Sequence, residues 1–114
     1  MKVLELNPKP QNKIEFHFNK LKFIPAEFGC YILTNFLGDI LYIGLTNSLK
    51  VRYKQHLDTP KKVALTELGV AYYFFYLIIN DEHKLNKLER GWMNHFELLE
   101  GKLPILNSIH PPLR

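Results

Sequence analysis

The pattern of apolar and polar residues predicts a β-hairpin followed by helices and a further strand. Two apolar stretches, 30–34 and 40–44, lie on either side of a polar turn at 35–39 that includes a Gly-Asp pair. Short apolar runs separated by such a turn are typical of antiparallel strands. The run 70–79 is almost wholly apolar and rich in aromatic and β-branched residues, so it predicts a central strand that is covered on both faces.

Two helices are predicted between the hairpin and that strand. Asn47 or Ser48 can cap the first, in which apolar residues recur every four positions and should face the sheet. Thr59 followed by Pro60 is typical of the start of a second, short helix, and Gly69 would lie beyond its last turn.

The longest helix is predicted after the apolar strand. Asp81 can cap its start, Gly101 would end it, and the apolar residues between them recur at helical spacing. The next residues, 103–107, are predicted to form an extended loop that closes on the domain.

The N-terminal region is predicted to add little regular structure. Residues 1–12 show no clear periodicity and favour an arm or loop, while Ile14, Phe16 and Phe18 alternate with polar residues and favour a half-buried strand. Together the elements predict an α+β fold in which a small antiparallel or mixed sheet is flanked by helices. The N-terminal strand could join that sheet at an edge, or the region could form an arm that contacts a partner.

Length and composition favour a single soluble domain. The 114 residues, of which 46% are apolar and 23% charged, are typical of an ordinary globular protein. The one cysteine, Cys30, has no internal disulfide partner and is expected to be buried in a reducing cytoplasm. No apolar run is long enough to span a bilayer and the start lacks a secretory signal, so we expect a cytoplasmic protein with no membrane partner.

The net positive charge is concentrated in one segment. Residues 48–62 hold five cations and one anion, which accounts for the whole net charge of +4. A localised basic patch is typical of proteins that bind a polyanion, although a solvated helix face would explain the same charges. The cations of this basic segment are Lys50, Arg52, Lys54, Lys61 and Lys62.

Several polar side chains are predicted to converge near the hairpin. Tyr31 and Tyr42 lie on its two strands, and Arg52 and His56 share one face of the following helix. Glu89 interrupts the apolar side of the long helix, where an ionised carboxylate needs a cation, hydrogen bonds or a metal. An ion pair at the edge of the core is the alternative explanation of Glu89. A phenol, a guanidinium and an imidazole gathered without a large apolar pocket suit a phosphodiester better than a metabolite.

These residues, in this order, resemble a known family. The matching set is Gly29-Cys30-Tyr31, Tyr42-Ile43-Gly44, Arg52, His56, Glu89 and Asn107, which resembles the GIY-YIG nuclease domain. The resemblance covers residues 28–107 and implies a three-stranded antiparallel sheet flanked by helices. We therefore divide the chain into an N-terminal extension, 1–24, and a nuclease domain, 25–114. Two positions depart from the family, since Cys30 stands where isoleucine is usual and Leu45 where many members have lysine.

The resemblance also implies a reaction, the hydrolysis of DNA phosphodiester bonds with one Mg²⁺ or Mn²⁺ ion per active site. Glu89 is similar to the metal-binding glutamate of the family, and one carboxylate suits Mg²⁺, which keeps most of its waters. Tyr42 resembles the tyrosine that activates or orients the attacking water. Arg52 would face the scissile phosphate and stabilise its added negative charge.

The remaining matches imply supporting roles. His56 resembles a histidine that some members use beside the arginine, and Tyr31 and Asn107 would complete a hydrogen-bonded shell. Either Tyr42 or His56 could take the proton of the attacking water. The lysines expected to contact DNA are Lys50, Lys54, Lys61 and Lys62.

Three functions are therefore open from the sequence. The first is a metal-dependent DNA endonuclease that nicks one strand, or cuts both as a homodimer or with a fused or associated specificity partner. The second is a catalytically weak or inactive nucleic-acid-binding module of the same fold, which Leu45 favours. The third is a protein-interaction domain that uses its aromatic residues, including Tyr72, Tyr73 and Tyr76, to cover a partner.

Overall fold

Backbone pairing builds one antiparallel sheet in residues 1–107, the part of the chain that the computed structural model describes. Its four strands are β1 (Asn12–Glu15), β2 (Gly29–Thr34), β3 (Ile40–Thr46) and β4 (Tyr73–Ile78). They lie in the order β1-β4-β2-β3, and every neighbouring pair is antiparallel. The predicted α+β class is confirmed, and the N-terminal edge strand is present as a fourth strand. The division at residue 24 stays a prediction, and residues 108–114 of the predicted domain lie outside the described residues.

Three α-helices and two short 3₁₀ helices surround the sheet. The α-helices are α1 (Leu49–Leu57), α2 (Pro60–Val63) and α3 (Glu82–Glu100), and the 3₁₀ helices are Val3–Glu5 and Phe18–Phe23. Within residues 1–107, none of the helices combines the length and apolarity needed to cross a membrane. The cytoplasmic location stays a prediction.

Caps fix the ends of the helices where the sequence predicts them. The Ser48 side chain accepts a hydrogen bond from a backbone N–H of α1, and Asp81 accepts two from the first turn of α3. Gly101 ends α3 with φ +72°, which favours glycine. α2 is shorter than predicted, because Ala64 is already extended and the chain then turns through a backbone bridge between Thr66 and Gly69.

The two faces of the sheet carry separate cores, and β2 contributes to both. Cys30 and Ile32 pack with the apolar side of α3, whereas Tyr31 and Leu33 pack with α1. All four side chains are fully buried. Since successive side chains of a strand point to opposite faces, the first tyrosine motif places its tyrosine on the α1 side and its cysteine on the α3 side.

The N-terminal region departs from the prediction in two ways. Val3 and Leu6 are buried in the α3-side core, so residues 1–12 are not a free arm. The strand predicted through Phe18 ends at residue 15, because the Tyr53 hydroxyl accepts a hydrogen bond from the backbone N–H of His17 at 2.8 Å and turns the chain away. Phe18 instead begins a 3₁₀ helix and is exposed.

The apolar run before α3 forms an interior strand, as predicted. β4 lies between β1 and β2, and Phe74 and Phe75 at its start are buried on opposite faces. The strand is shorter than the run, and Ile78 near its end is exposed. Coverage on both faces is therefore confirmed only for the first half of the strand.

Candidate active site

The hairpin of β2 and β3 brings the two motif tyrosines together. Tyr31 pairs with Gly44 across the strands, and the rings of Tyr31 and Tyr42 lie nearly parallel with centres 5.9 Å apart. Gly44 makes this packing possible, because a Cβ atom there would lie 2.6 Å from the Tyr31 hydroxyl oxygen and 2.8 Å from a Tyr42 ring carbon. A side chain at Gly44 would therefore collide with both rings.

Helix α1 adds an imidazole to the two phenols. His56 is buried, and its Nε2 lies 2.6 Å from the Tyr31 hydroxyl oxygen, a hydrogen-bonding distance. Its ring centre is 5.0 Å from that of Tyr42 in an edge-on arrangement. Tyr31, Tyr42 and His56 thus form one aromatic cluster on the α1 side of the sheet, and we call it the Tyr-Tyr-His cluster.

The two buried members of this cluster are neutral near pH 7. Burial raises the pKa of Tyr31 well above its usual value, Tyr42 raises it further, and the Arg52 guanidinium opposes both effects. Burial, followed by the charges of Lys62 and Arg52, lowers the pKa of His56 to about 3. The hydrogen bond between Tyr31 and His56 therefore joins a phenol to an uncharged imidazole.

Arg52 and Glu89 bring opposite charges to the same cluster from different helices. Arg52, on α1, is half-buried, and its charge acts on both Tyr31 and His56. Glu89, on α3, is also half-buried, and its charge raises the pKa of Tyr31 and of Cys30. Both charges therefore act on the buried Tyr31, although the two helices lie on opposite faces of the sheet.

Cys30 lies beside Glu89 but belongs to the core. Its thiol donates a weak hydrogen bond to the backbone oxygen of Leu85 at 3.3 Å. Burial, with a further contribution from the Glu89 charge, raises the pKa of this thiol to about 12. Since thiolate is the form that binds metals, Cys30 is a packing residue rather than a ligand.

The predicted divalent ion would have few protein ligands in this site. No three side chains of His, Cys, Asp or Glu gather into a metal-binding group within residues 1–107. Glu89 is a carboxylate whose charge acts on Tyr31 of the Tyr-Tyr-His cluster. A single carboxylate fits Mg²⁺, which retains several waters, whereas zinc in proteins usually takes three or four N and S ligands.

Asn107 holds the chain against the free edge of β3. Its Nδ2 donates to the Ile43 carbonyl and its Oδ1 accepts from the Ile43 N–H, both at 2.9 Å. The preceding residue, Leu106, donates its backbone N–H to the carbonyl of Leu41. Asn107 therefore fixes the backbone between Tyr42 and Gly44, and the sequence held no signal for this particular contact.

The four lysines predicted to contact DNA have different surroundings. Lys50 is half-buried and Lys61 is exposed, while Lys54 forms an ion pair with Asp58 at 2.7 Å. Lys62 lies over the Tyr42 ring, with its Nζ 4.2 Å from the ring centre. DNA contact stays a prediction for all four, and the Lys62 contact was missed because α2 has no periodicity that links it to the hairpin.

The chain matches a known family model and is similar to several known proteins. Residues 27–102 match the family model described as the GIY-YIG catalytic domain. The chain is 28% identical over 106 residues to UvrABC system protein C of Aster yellows witches'-broom phytoplasma (strain AYWB), which covers 83% of this chain and 18% of that protein. It is 35% identical over 74 residues to UvrABC system protein C of Clostridium beijerinckii, covering 61% of this chain and 12% of that protein. The chain thus spans less than a fifth of the length of these relatives.

Proposed function

Since this chain belongs to the GIY-YIG nuclease family, we propose that it is a divalent-metal-dependent endonuclease that hydrolyses DNA phosphodiester bonds. The observation that carries the proposal is the Tyr-Tyr-His cluster, with the Arg52 and Glu89 charges acting on it. The cluster offers hydrogen-bonding groups to a water molecule, and Arg52 offers a cation to a phosphate. A phosphoryl-transfer transition state gains most from such fixed charges and dipoles.

Tyr42 is the member of the cluster that meets the attacking water. Its side chain is half-buried, whereas Tyr31 and His56 are buried and bonded to each other. A free tyrosine is only about one part in a thousand ionised at neutral pH, a handicap of roughly 4 kcal/mol. For Tyr42 to accept a proton from the water, the surrounding groups must hold the water in line and must favour the phenolate form of tyrosine.

Tyr31 and His56 support Tyr42 rather than touch the substrate. His56 is uncharged near neutral pH because its pKa is about 3, so it does not add a cation at the phosphate. Its Nε2 holds the Tyr31 hydroxyl, and Tyr31 stacks against Tyr42. We therefore assign proton acceptance to Tyr42, and we assign His56 and Tyr31 to the orientation of its ring.

Arg52 and Glu89 complete the proposed site. The Arg52 guanidinium stays charged at every working pH and would bind the non-bridging oxygens of the scissile phosphate. Glu89 would hold one Mg²⁺ or Mn²⁺ ion, which supplies Lewis-acid stabilisation of the phosphate charge. Because one such site acts on one strand, nicking is the expected reaction, and a double-strand break needs a homodimer or a partner.

Nicking of a supercoiled plasmid tests this proposal. We expect nicked circles to accumulate with Mg²⁺ or Mn²⁺, and we expect Glu89→Gln to abolish nicking while leaving DNA binding in place. Glu97→Gln is the matched control, because Glu97 is an exposed glutamate on the same helix. Absence of cleavage by the wild-type protein across both metals and several DNA substrates would overturn the proposal.

A binding module without catalysis is the second candidate, and one position favours it. Leu45 stands beside the second motif and packs on the α3-side core, so it adds no cation to the site. DNA affinity that falls as salt rises, together with no nicking and no effect of Glu89→Gln, would support this alternative.

A further inference from the structure

One cation of the basic segment contacts a motif tyrosine directly. The Nζ atom of Lys62 lies 4.2 Å from the centre of the Tyr42 ring, well within the range of a cation–π interaction. The short helix α2 brings it there, since the backbone N–H of Lys62 bonds to the carbonyl of Thr59 at 2.9 Å. α2 itself packs against α1, the helix that carries His56.

We propose that Lys62 is a positioning residue for the nuclease reaction, which holds the Tyr42 ring in its reactive orientation and places a positive charge over it. This inference rests on the proposed function for its catalytic consequence, but the contact itself does not. Tyr42 is half-buried, and the orientation of its ring depends on the side chains that contact it. Those side chains are Tyr31, His56 and Lys62.

A second observation places Lys62 at the cluster. Its charge, after burial, is the next largest cause of the low pKa of His56. Lys62 therefore acts on two of the three rings of the cluster. At the position where many members of the family have a lysine, this chain has Leu45. Leu45 packs with the core on the α3 side of the sheet and supplies no charge.

The rival explanation is that Lys62 binds a DNA phosphate, as the other lysines of the segment are predicted to do. The two explanations differ in what they change. If Lys62 binds a phosphate, its removal weakens DNA binding and reduces the salt dependence by about one counterion. If Lys62 positions Tyr42, its removal lowers the cleavage rate on saturating DNA and leaves the dissociation constant unchanged.

The contact can be tested in the free protein by NMR. Ring currents from Tyr42 should shift the ε-methylene protons of Lys62 upfield, and Tyr42→Leu should return them to ordinary lysine values. In Lys62→Gln the Tyr42 ring resonances should move more than those of other tyrosines. Ordinary Lys62 shifts in the wild-type protein would overturn the proposal, whether or not the protein cuts DNA.

The catalytic consequence is tested in single-turnover reactions with excess protein. We expect Lys62→Gln to lower the rate by about tenfold with unchanged DNA affinity, and Lys62→Arg to keep most of the rate because it keeps the charge over the ring. Lys22→Gln is the matched control, since Lys22 lies 5.3 Å from the Phe23 ring centre outside the site, and it should leave the rate unchanged.

The outcomes separate the two levels of inference. An unchanged rate with weakened DNA binding in Lys62→Gln would refute positioning and favour binding of a phosphate. If the wild-type protein does not cut DNA at all, the proposed function fails, and the NMR shifts alone decide whether Lys62 orders Tyr42.

Discussion

Replacing Gly44 by alanine would test the packing of the motif tyrosines without removing either of them. An added Cβ would lie 2.6 Å from the Tyr31 hydroxyl oxygen, 2.7 Å from its Cζ and 2.8 Å from a Tyr42 ring carbon. Ordinary van der Waals contact begins near 3.4 Å, so Tyr31 would have to retreat by about 0.8 Å. It cannot do so freely, because it is fully buried and bonded to His56.

Two effects follow from this displacement. Overpacking of a buried site typically costs about 1–3 kcal/mol, which in a domain of this size lowers the melting temperature by roughly 5–20 °C. A shift of nearly 1 Å in a group that orients the nucleophile costs on the order of a hundredfold in rate. We therefore expect Gly44→Ala to be both less stable and about a hundredfold slower in plasmid nicking.

Thermal melts and single-turnover nicking at a temperature where the variant is folded would measure the two effects. Gly91→Ala is the matched control, because Gly91 lies within α3 and an added Cβ there meets no atom within 4 Å. That change should stabilise the helix by roughly 0.5–1 kcal/mol and leave nicking unchanged. A Gly44→Ala protein with wild-type melting temperature and rate would refute the close packing of the two rings.

Three further predictions concern the cores around the site. Tyr53→Phe should lower the free energy of unfolding by about 0.5–1.5 kcal/mol, because it removes the hydroxyl that accepts from the backbone N–H of His17 and leaves that N–H only the Glu15 carbonyl at 3.1 Å; an unchanged chemical melt would contradict this. The pKa of His56 is about 3 in the folded protein, whereas its ordinary value is 6.5. Between these two pH values the unfolded state binds one more proton than the folded state. The free energy of unfolding should therefore fall as pH drops from about 6.5 towards 3, by at most roughly 1.4 kcal/mol per pH unit. His56→Gln should flatten that slope, and an equal slope in both proteins would show that other groups cause it. Cys30, buried with a pKa raised to about 12, should react with a thiol reagent at pH 8 only after denaturant is added, and fast reaction of the native protein would contradict its burial.

The parts of the fold that local chemistry determines were predictable from the sequence. The start of α3 at Asp81 and its end at Gly101 follow from capping residues that act within one turn. The hairpin follows from two apolar runs and a turn in which Gly38 has φ +89°. Neither inference required knowledge of distant contacts.

The errors arose where a distant residue decides the local structure. The predicted strand through Phe18 stops early because the Tyr53 hydroxyl, on α1, binds the backbone at His17. Val3 is held in the core because its backbone N–H bonds to the carbonyl of Gly38 at the hairpin turn. The pattern of residues 1–12 does not predict this contact. Tertiary contacts override local pattern in both places.

The site shows the same division. The predicted approach of three of the side chains is seen, since Tyr31 bonds to His56 and stacks on Tyr42. The sequence did not reveal the neutral state of His56 or the Lys62 contact, because both depend on burial and on where α2 packs. The catalytic roles of the predicted residues stay predictions until the variants are measured.

The alternation of side chains along β2 has a mechanical consequence. Arg52 and Glu89 are carried by helices on opposite faces of one sheet, because α1 packs with Tyr31 and Leu33 whereas α3 packs with Cys30 and Ile32. We therefore expect a volume change in either core to shift one of these helices relative to the other, together with the charged residue that it carries. If the proposed function holds, substitutions in either core should lower the nicking rate as well as the stability, although none of them changes a charged residue.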